Sequence, residues 1–181
     1  MDVAAAHAVH PVIELRVLDP AESTAVRDLI LHVLNHEYGM ALTLDELPDL
    51  ADVHRSYITS GMGQFWVARV DGQVAGCIGV LRLSGADYEV RRMYVRADYR
   101  GLGIAQRLLA LLTAWSATSG VRCLYLETNA AWVAAHHIYE KHGFVEVSRS
   151  DLPLEFPVVR VATGFFRRCT TAAHACAAME Q

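Results

Sequence analysis

Residues 90–109 read VRRMYVRADYRGLGIAQRLL, and the fold turns on them. A strand-like segment runs to Val95, and a loop follows over 96–100. Gly101-Leu102-Gly103 then leads into a helix reaching about Ser119. Ile104, Leu108, Leu111, Leu112 and Trp115 recur at helical spacing and give that helix one apolar stripe. A helix that starts on glycines exposes unpaired N–H groups and the positive end of its dipole. Glycines also let an anion approach the backbone closely, which suits phosphate or pyrophosphate. Arg100 adds formal positive charge just before the turn.

Outward from this stretch, the pattern is mixed. Residues 12–18 alternate as a strand, and Asp19-Pro20 opens a helix over 20–38 that Gly39 ends. A shorter helix is predicted from Thr43-Leu44-Asp45, with Leu50, Val53 and Tyr57 on one face. Strands over 64–70 and 74–83 flank Asp71-Gly72, a strong hairpin signal, and 87–95 is a third strand. After the glycine-led helix, residues 121–128 read as a strand buried on both faces. A helix over 131–142 ends at Gly143, and final strands are expected at 144–148 and 156–166. The fold class is α/β (α+β): one domain with a mixed, mostly antiparallel sheet, a central parallel β-α-β unit and flanking helices. Residues 1–10 and 169–181 read as tails around a domain of 11–168.

Composition narrows the function. The 181 residues carry 20 acidic and 16 basic side chains, net −4, which argues against a nucleic-acid partner. No run of about 20 apolar residues is present, so no membrane partner is expected. Cys77, Cys123, Cys169 and Cys176 lack a CxxC spacing; buried small hydrophobes at 77 and 123 and a reduced, cytoplasmic setting are the default reading. The charge is divided, with a balance of −7 over residues 1–60 and +3 over 61–181.

Three anion-binding turns are distinguishable here. A P-loop requires a lysine that this segment lacks. A nicotinamide-binding Rossmann turn needs a third glycine where Gln106 stands, although Glu127 lies near the position of its ribose-binding acid. The third, [QR]-x-x-G-x-[GA], is matched by Arg100, Gly103 and Ala105. With EVRRMYV at 89–95, RGLGIA at 100–105 and AHHIYEKHGF at 135–144, the chain resembles the GNAT superfamily of N-acetyltransferases.

The resemblance implies acetyl-CoA as co-substrate and no metal. It implies that Met93, Tyr94 and Val95 offer backbone to the pantetheine arm. Arg100, Gly101, Leu102, Gly103, Ile104 and Ala105 would wrap the pyrophosphate, and Asn129 would touch the cofactor. Where the family often has an asparagine three residues before the alanine matched by Ala135, this chain has Trp132. Tyr139 is the expected acid for the leaving thiolate, since a phenol with pKa about 10 stays protonated at neutral pH. Glu89 matches a carboxylate that one branch of the superfamily uses as base. Glu37, Asp45, Glu46 and Asp49 are expected at the acceptor site and point to a small cationic amine as small-molecule partner. A homodimer is compatible with the sequence. A non-catalytic acyl-CoA-binding module and a nicotinamide-binding Rossmann protein are the alternatives. His32 with His36, the group His136, His137 and His142, and Cys169 with His174 and Cys176, offer no metal motif of the HExxH kind.

Overall fold

The computed structural model describes residues 11–130, 132–158 and 162–170. β1 (Ile13–Val17) is followed by α1 (Ser23–His32) and then by β2 (Gly63–Val70), β3 (Gln73–Ser84) and β4 (Asp87–Val95). These four strands form an antiparallel meander. Asp71 and Gly72 join β2 to β3 with φ of 48° and 84°, as a two-residue hairpin turn of this hand requires. α2 (Ile104–Thr118) carries the chain over to β5 (Cys123–Thr128), which lies parallel to β4. α3 (Val133–Lys141), β6 (Val145–Val147) and β7 (Gly164–Cys169) complete the sheet in the order β1-β2-β3-β4-β5-β7-β6. This is the mixed sheet with a central parallel unit that the sequence pattern predicts.

Alternation along β2 assigns its two faces. Phe65 and Val67 join Val26, Ile30, Val33, Leu50, Val53 and Tyr57 in one core. Trp66 and Ala68 join Leu108, Leu109 and Leu112 of α2 in the other. A large side chain fully buried in either core contributes about 1.5–3 kcal/mol. Gly79 is needed where the cores meet the sheet: a Cβ there would lie 2.6 Å from the Phe65 ring and 2.8 Å from Tyr57.

Several boundaries differ from the sequence expectation. The second helix does not start at Thr43. Leu47 precedes a proline, which pushes it out of the helical region, and it sits at φ −129°, ψ 61°. Helical turns therefore begin only at Pro48–Leu50 and resume at Arg55–Thr59, while Leu50, Val53 and Tyr57 are buried as expected. Among the described residues the last strand is Gly164–Cys169, and residues 156–158, where Pro157 cannot donate to a ladder, are not in it. Cys169 thus ends a strand and does not begin a tail. Cys123 is bonded to Cys169, its partner in the β5–β7 register, so it is not a lone buried thiol and the thiols are not all reduced. Of the expected tails at 1–10 and 169–181, residues 1–10 and 171–181 lie outside the described residues. Among those residues, no helix is long and apolar enough to cross a membrane.

Candidate active site

The site begins with one extra residue in β4. Cys77 faces Tyr94 and Gly79 faces Arg91, so Arg92 and Met93 together oppose Ile78. This is a β-bulge, and Arg92 takes φ 56°, a conformation that disfavours side chains. Asp49 grips the Arg92 guanidinium with bonds of 2.9 and 2.7 Å and also accepts the Tyr57 hydroxyl at 2.7 Å. The Cys77 thiol donates to the Arg92 carbonyl at 3.2 Å. β4 has left its other neighbour before the bulge: pairing with β5 ends at Glu89 opposite Tyr125.

A cleft of about 1090 Å³ opens where the two strands part. One wall is β4 from Glu89 to Val95. The other runs from Leu126 through Asn129 and Trp132 to Tyr139. Gly101, Gly103, Ile104 and Ala105 close one end. Gly101 and Gly103 have φ of 82° and 74°, and a Cβ on either would meet nothing within 4 Å. The first turn of α2 thus presents its N–H groups beside open space, as a diphosphate requires. On the β5 side, the Thr128 hydroxyl is buried with no hydrogen-bond partner among the described residues. An open strand edge, a glycine turn and an orphaned hydroxyl along one cleft fit the pantetheine and diphosphate of coenzyme A.

Two ionisable groups on opposite walls have displaced pKa values. Glu89 is 4% exposed, and burial pushes its carboxyl up to about 7. Arg91, with Nε 3.3 Å away, opposes the rise, and the charge of Glu127 adds to it. Tyr139 is 8% exposed, among Phe144 and Phe166, and burial raises its phenol above its ordinary value. The phenol therefore keeps its proton at neutral pH while Glu89 exchanges one.

Residues 61–146 match the acetyltransferase (GNAT) domain family. An uncharacterised Escherichia coli N-acetyltransferase, YjgM, is 30% identical over 141 residues, spanning 74% of this chain and 82% of that protein. The chain belongs to the GNAT family. A GNAT-family acetyltransferase from Staphylococcus aureus has the same fold, with TM-score 0.80 and 29% identity over 87% of this chain and 99% of that one. A probable N-acetyltransferase of Xenopus tropicalis, camello, is 35% identical over 107 residues, 58% of this chain. The chain spans about half the length of that relative, 49%.

On this GNAT scaffold most of the residues singled out from sequence meet in one place. Glu89, Met93, Tyr94, Val95, Arg100, Gly101, Gly103, Ile104, Ala105, Asn129 and Tyr139 all border the cleft. Leu102 does not, and its side chain is exposed. The Arg100 guanidinium is ion-paired to Glu37 and donates to the Val95 carbonyl at 3.0 Å. Of the four acidic residues expected at the acceptor, Glu46 and Asp49 border the cleft, whereas Glu37 and Asp45 do not. Asp49 is committed to Arg92, and the Glu46 carboxylate accepts both N–H and O–H of Thr43 at 2.9 Å.

The sequence reading missed three features. Glu127, read from sequence only as the counterpart of a ribose-binding acid, borders the cleft and its charge raises the Glu89 pKa; its alternation with Asn129 is the signal for its place here. Arg92 sets the bulge, which no local pattern announces. Trp132 stacks on Tyr38 with ring centres 4.9 Å apart, and both border the cleft. His136 and His142 contact the carbonyls of Asn129 and Ile138 at 3.1 and 2.8 Å. Among the described residues, no group of three metal-ligating side chains occurs.

Proposed function

We propose that this chain transfers the acetyl group of acetyl-CoA to a small primary amine by direct attack. The observation that carries this reading is a single cleft bordered by a buried carboxylate with pKa about 7, a buried phenol and the glycine turn. Gly101, Gly103, Ile104 and Ala105 hold the diphosphate, Met93 to Val95 offer backbone to the pantetheine arm, and Thr128 and Asn129 border it at the end of β5.

The amine arrives as an ammonium, drawn by Glu89 and Glu127. Glu89 takes one of its protons, directly or through one water, which frees the nitrogen lone pair. The nitrogen attacks the thioester carbon, and a backbone N–H of β4 near Tyr94 stabilises the oxyanion. The C–N bond forms, the nitrogen, cationic after attack, loses its second proton to water, the C–S bond breaks, and Tyr139 protonates the leaving thiolate before regaining a proton from solvent. A carboxylate titrating near neutrality suits this role, because proton transfer is most efficient when the catalytic pKa lies near the working pH.

The test is release of free CoA thiol from acetyl-CoA in the presence of a panel of primary amines. Amine-dependent release supports the reading. CoA binding without release for any amine would leave a binding module of the same fold.

A further inference from the structure

The segment between α1 and the helical turn at Pro48–Leu50 forms the third wall of the cleft. It contributes Leu34, Tyr38, Met40, Leu42, Leu47 and Pro48. Asn35 fixes the middle of this wall: its side chain donates to the Leu42 carbonyl at 2.8 Å and accepts the Leu42 N–H at 2.7 Å. Met40, Leu42 and Tyr94 each pack against the core beneath. The wall lies on the acceptor side, because Asp49 at its end grips Arg92, three residues along β4 from Glu89.

Two of the carboxylates on this segment are already matched by arginines. The Asp49 carboxylate is matched by Arg92 and Tyr57, and Glu37 faces Arg100 outside the cleft lining. Glu46 is exposed and turned onto Thr43. A second ammonium, as in a polyamine, would be desolvated against Leu34, Met40, Leu42 and Leu47, where the remaining carboxylate, Glu46, lies exposed and already accepts two hydrogen bonds from Thr43. A carboxylate beside the amine would face Glu89 and Glu127, with Arg91 held by Glu89 at 3.3 Å. The stacked rings of Tyr38 and Trp132 extend the apolar surface to the mouth, where both remain partly exposed.

We infer that the acceptor is a primary amine on a compact apolar body, a straight alkylamine or a single-ring arylalkylamine. This inference rests on the acetyl-transfer reading and adds the class of acceptor. Leu42 and Met40 are then specificity-determining residues that touch the acceptor's apolar body.

The experiment compares initial rates of thiol release with hexylamine, phenethylamine, spermidine and aspartate. The expected kcat/KM for the first two exceeds that for the last two by about tenfold or more, the discrimination a hydrophobic pocket supplies. Leu42→Asp should lower kcat/KM for hexylamine about tenfold, mainly through KM, with CoA affinity by calorimetry retained. Met40→Asp repeats this test should the first variant not fold. Faster turnover of spermidine or aspartate by the unaltered protein, or an unchanged preference in both variants, overturns the inference while leaving acetyl transfer intact. No release with any of the four amines overturns both.

Discussion

The Arg92 guanidinium and the Asp49 carboxylate are joined by two hydrogen bonds of 2.9 and 2.7 Å, with their side chains only 11% and 12% exposed. The pair ties the segment after α1 to the bulge of β4, across 43 residues of chain. It therefore holds the bulge residue, whose backbone is left-handed, in the stretch of β4 that no longer pairs with β5. Removing one partner leaves a buried charge uncompensated. Asp49→Ala should cost about 3–5 kcal/mol of stability, measured by denaturant unfolding. A companion Asp49→Leu, Arg92→Met double variant should recover most of that loss but bind CoA more weakly, since nothing then fixes the bulge. Burial alone would raise the Asp49 carboxyl, but the hydrogen bonds and charge of Arg92 outweigh it and hold the pKa below its ordinary value. A lowered carboxylate pKa contributes stability above the unfolded value, and that stability is lost as pH falls through the folded one. Unfolding below the usual carboxylate range should show this dependence, and Asp49→Ala should lack it.

Glu89 titrates in the opposite sense. Its folded pKa of about 7 lies above the ordinary 4.5, so the folded chain binds a proton that the unfolded chain releases. This contribution favours folding below about 4.5 and is lost as pH rises through about 7. Activity should move the other way, with kcat/KM rising with pH through an ionisation near 7. Glu89→Gln should abolish that limb and lower kcat by about 10²-fold or more.

Tyr139→Phe removes a hydroxyl from a buried ring and leaves the ring packed among Phe144 and Phe166. The fold should survive the change. Acetyl transfer should slow by about 10²-fold, with CoA affinity by calorimetry altered less than threefold, roughly the scale of a single general acid.

Cys123 and Cys169 close a loop of 46 residues by joining β5 to β7 at the sheet end away from Asn129. On the loop-closure argument, the bond contributes about 4 kcal/mol. The double variant Cys123→Ala, Cys169→Ala should melt lower than the oxidised protein and match the protein after reduction. Cys77, buried and with its thiol pushed up to about 12, should react with thiol reagents only after unfolding.

The parts legible in the sequence were those set by local periodicity. The glycine turn, the stripe of α2, the Asp71-Gly72 hairpin and the spacing from Arg100 to Tyr139 all follow from side chains near one another in the chain. What escaped depends on residues far apart. Asp49 reads as one member of an acidic run, and only folding shows that Arg92 occupies it. Glu37 likewise faces Arg100 and not an acceptor. Trp132 reads as a lost asparagine until Tyr38 is found stacked on it. The start of the second helix was misplaced for a local reason, the proline at 48, which the apolar spacing of Leu50, Val53 and Tyr57 obscured.

The most direct test of acetyl transfer with Glu89 as base is thiol release from acetyl-CoA with hexylamine, followed in parallel for the unaltered chain and Glu89→Gln, with CoA affinity measured on both. Amine-dependent release is expected from the first, a loss of about 10²-fold or more in the second, and matching CoA affinities in both. Equal rates in the two proteins, or tight CoA binding without release by either, would contradict it.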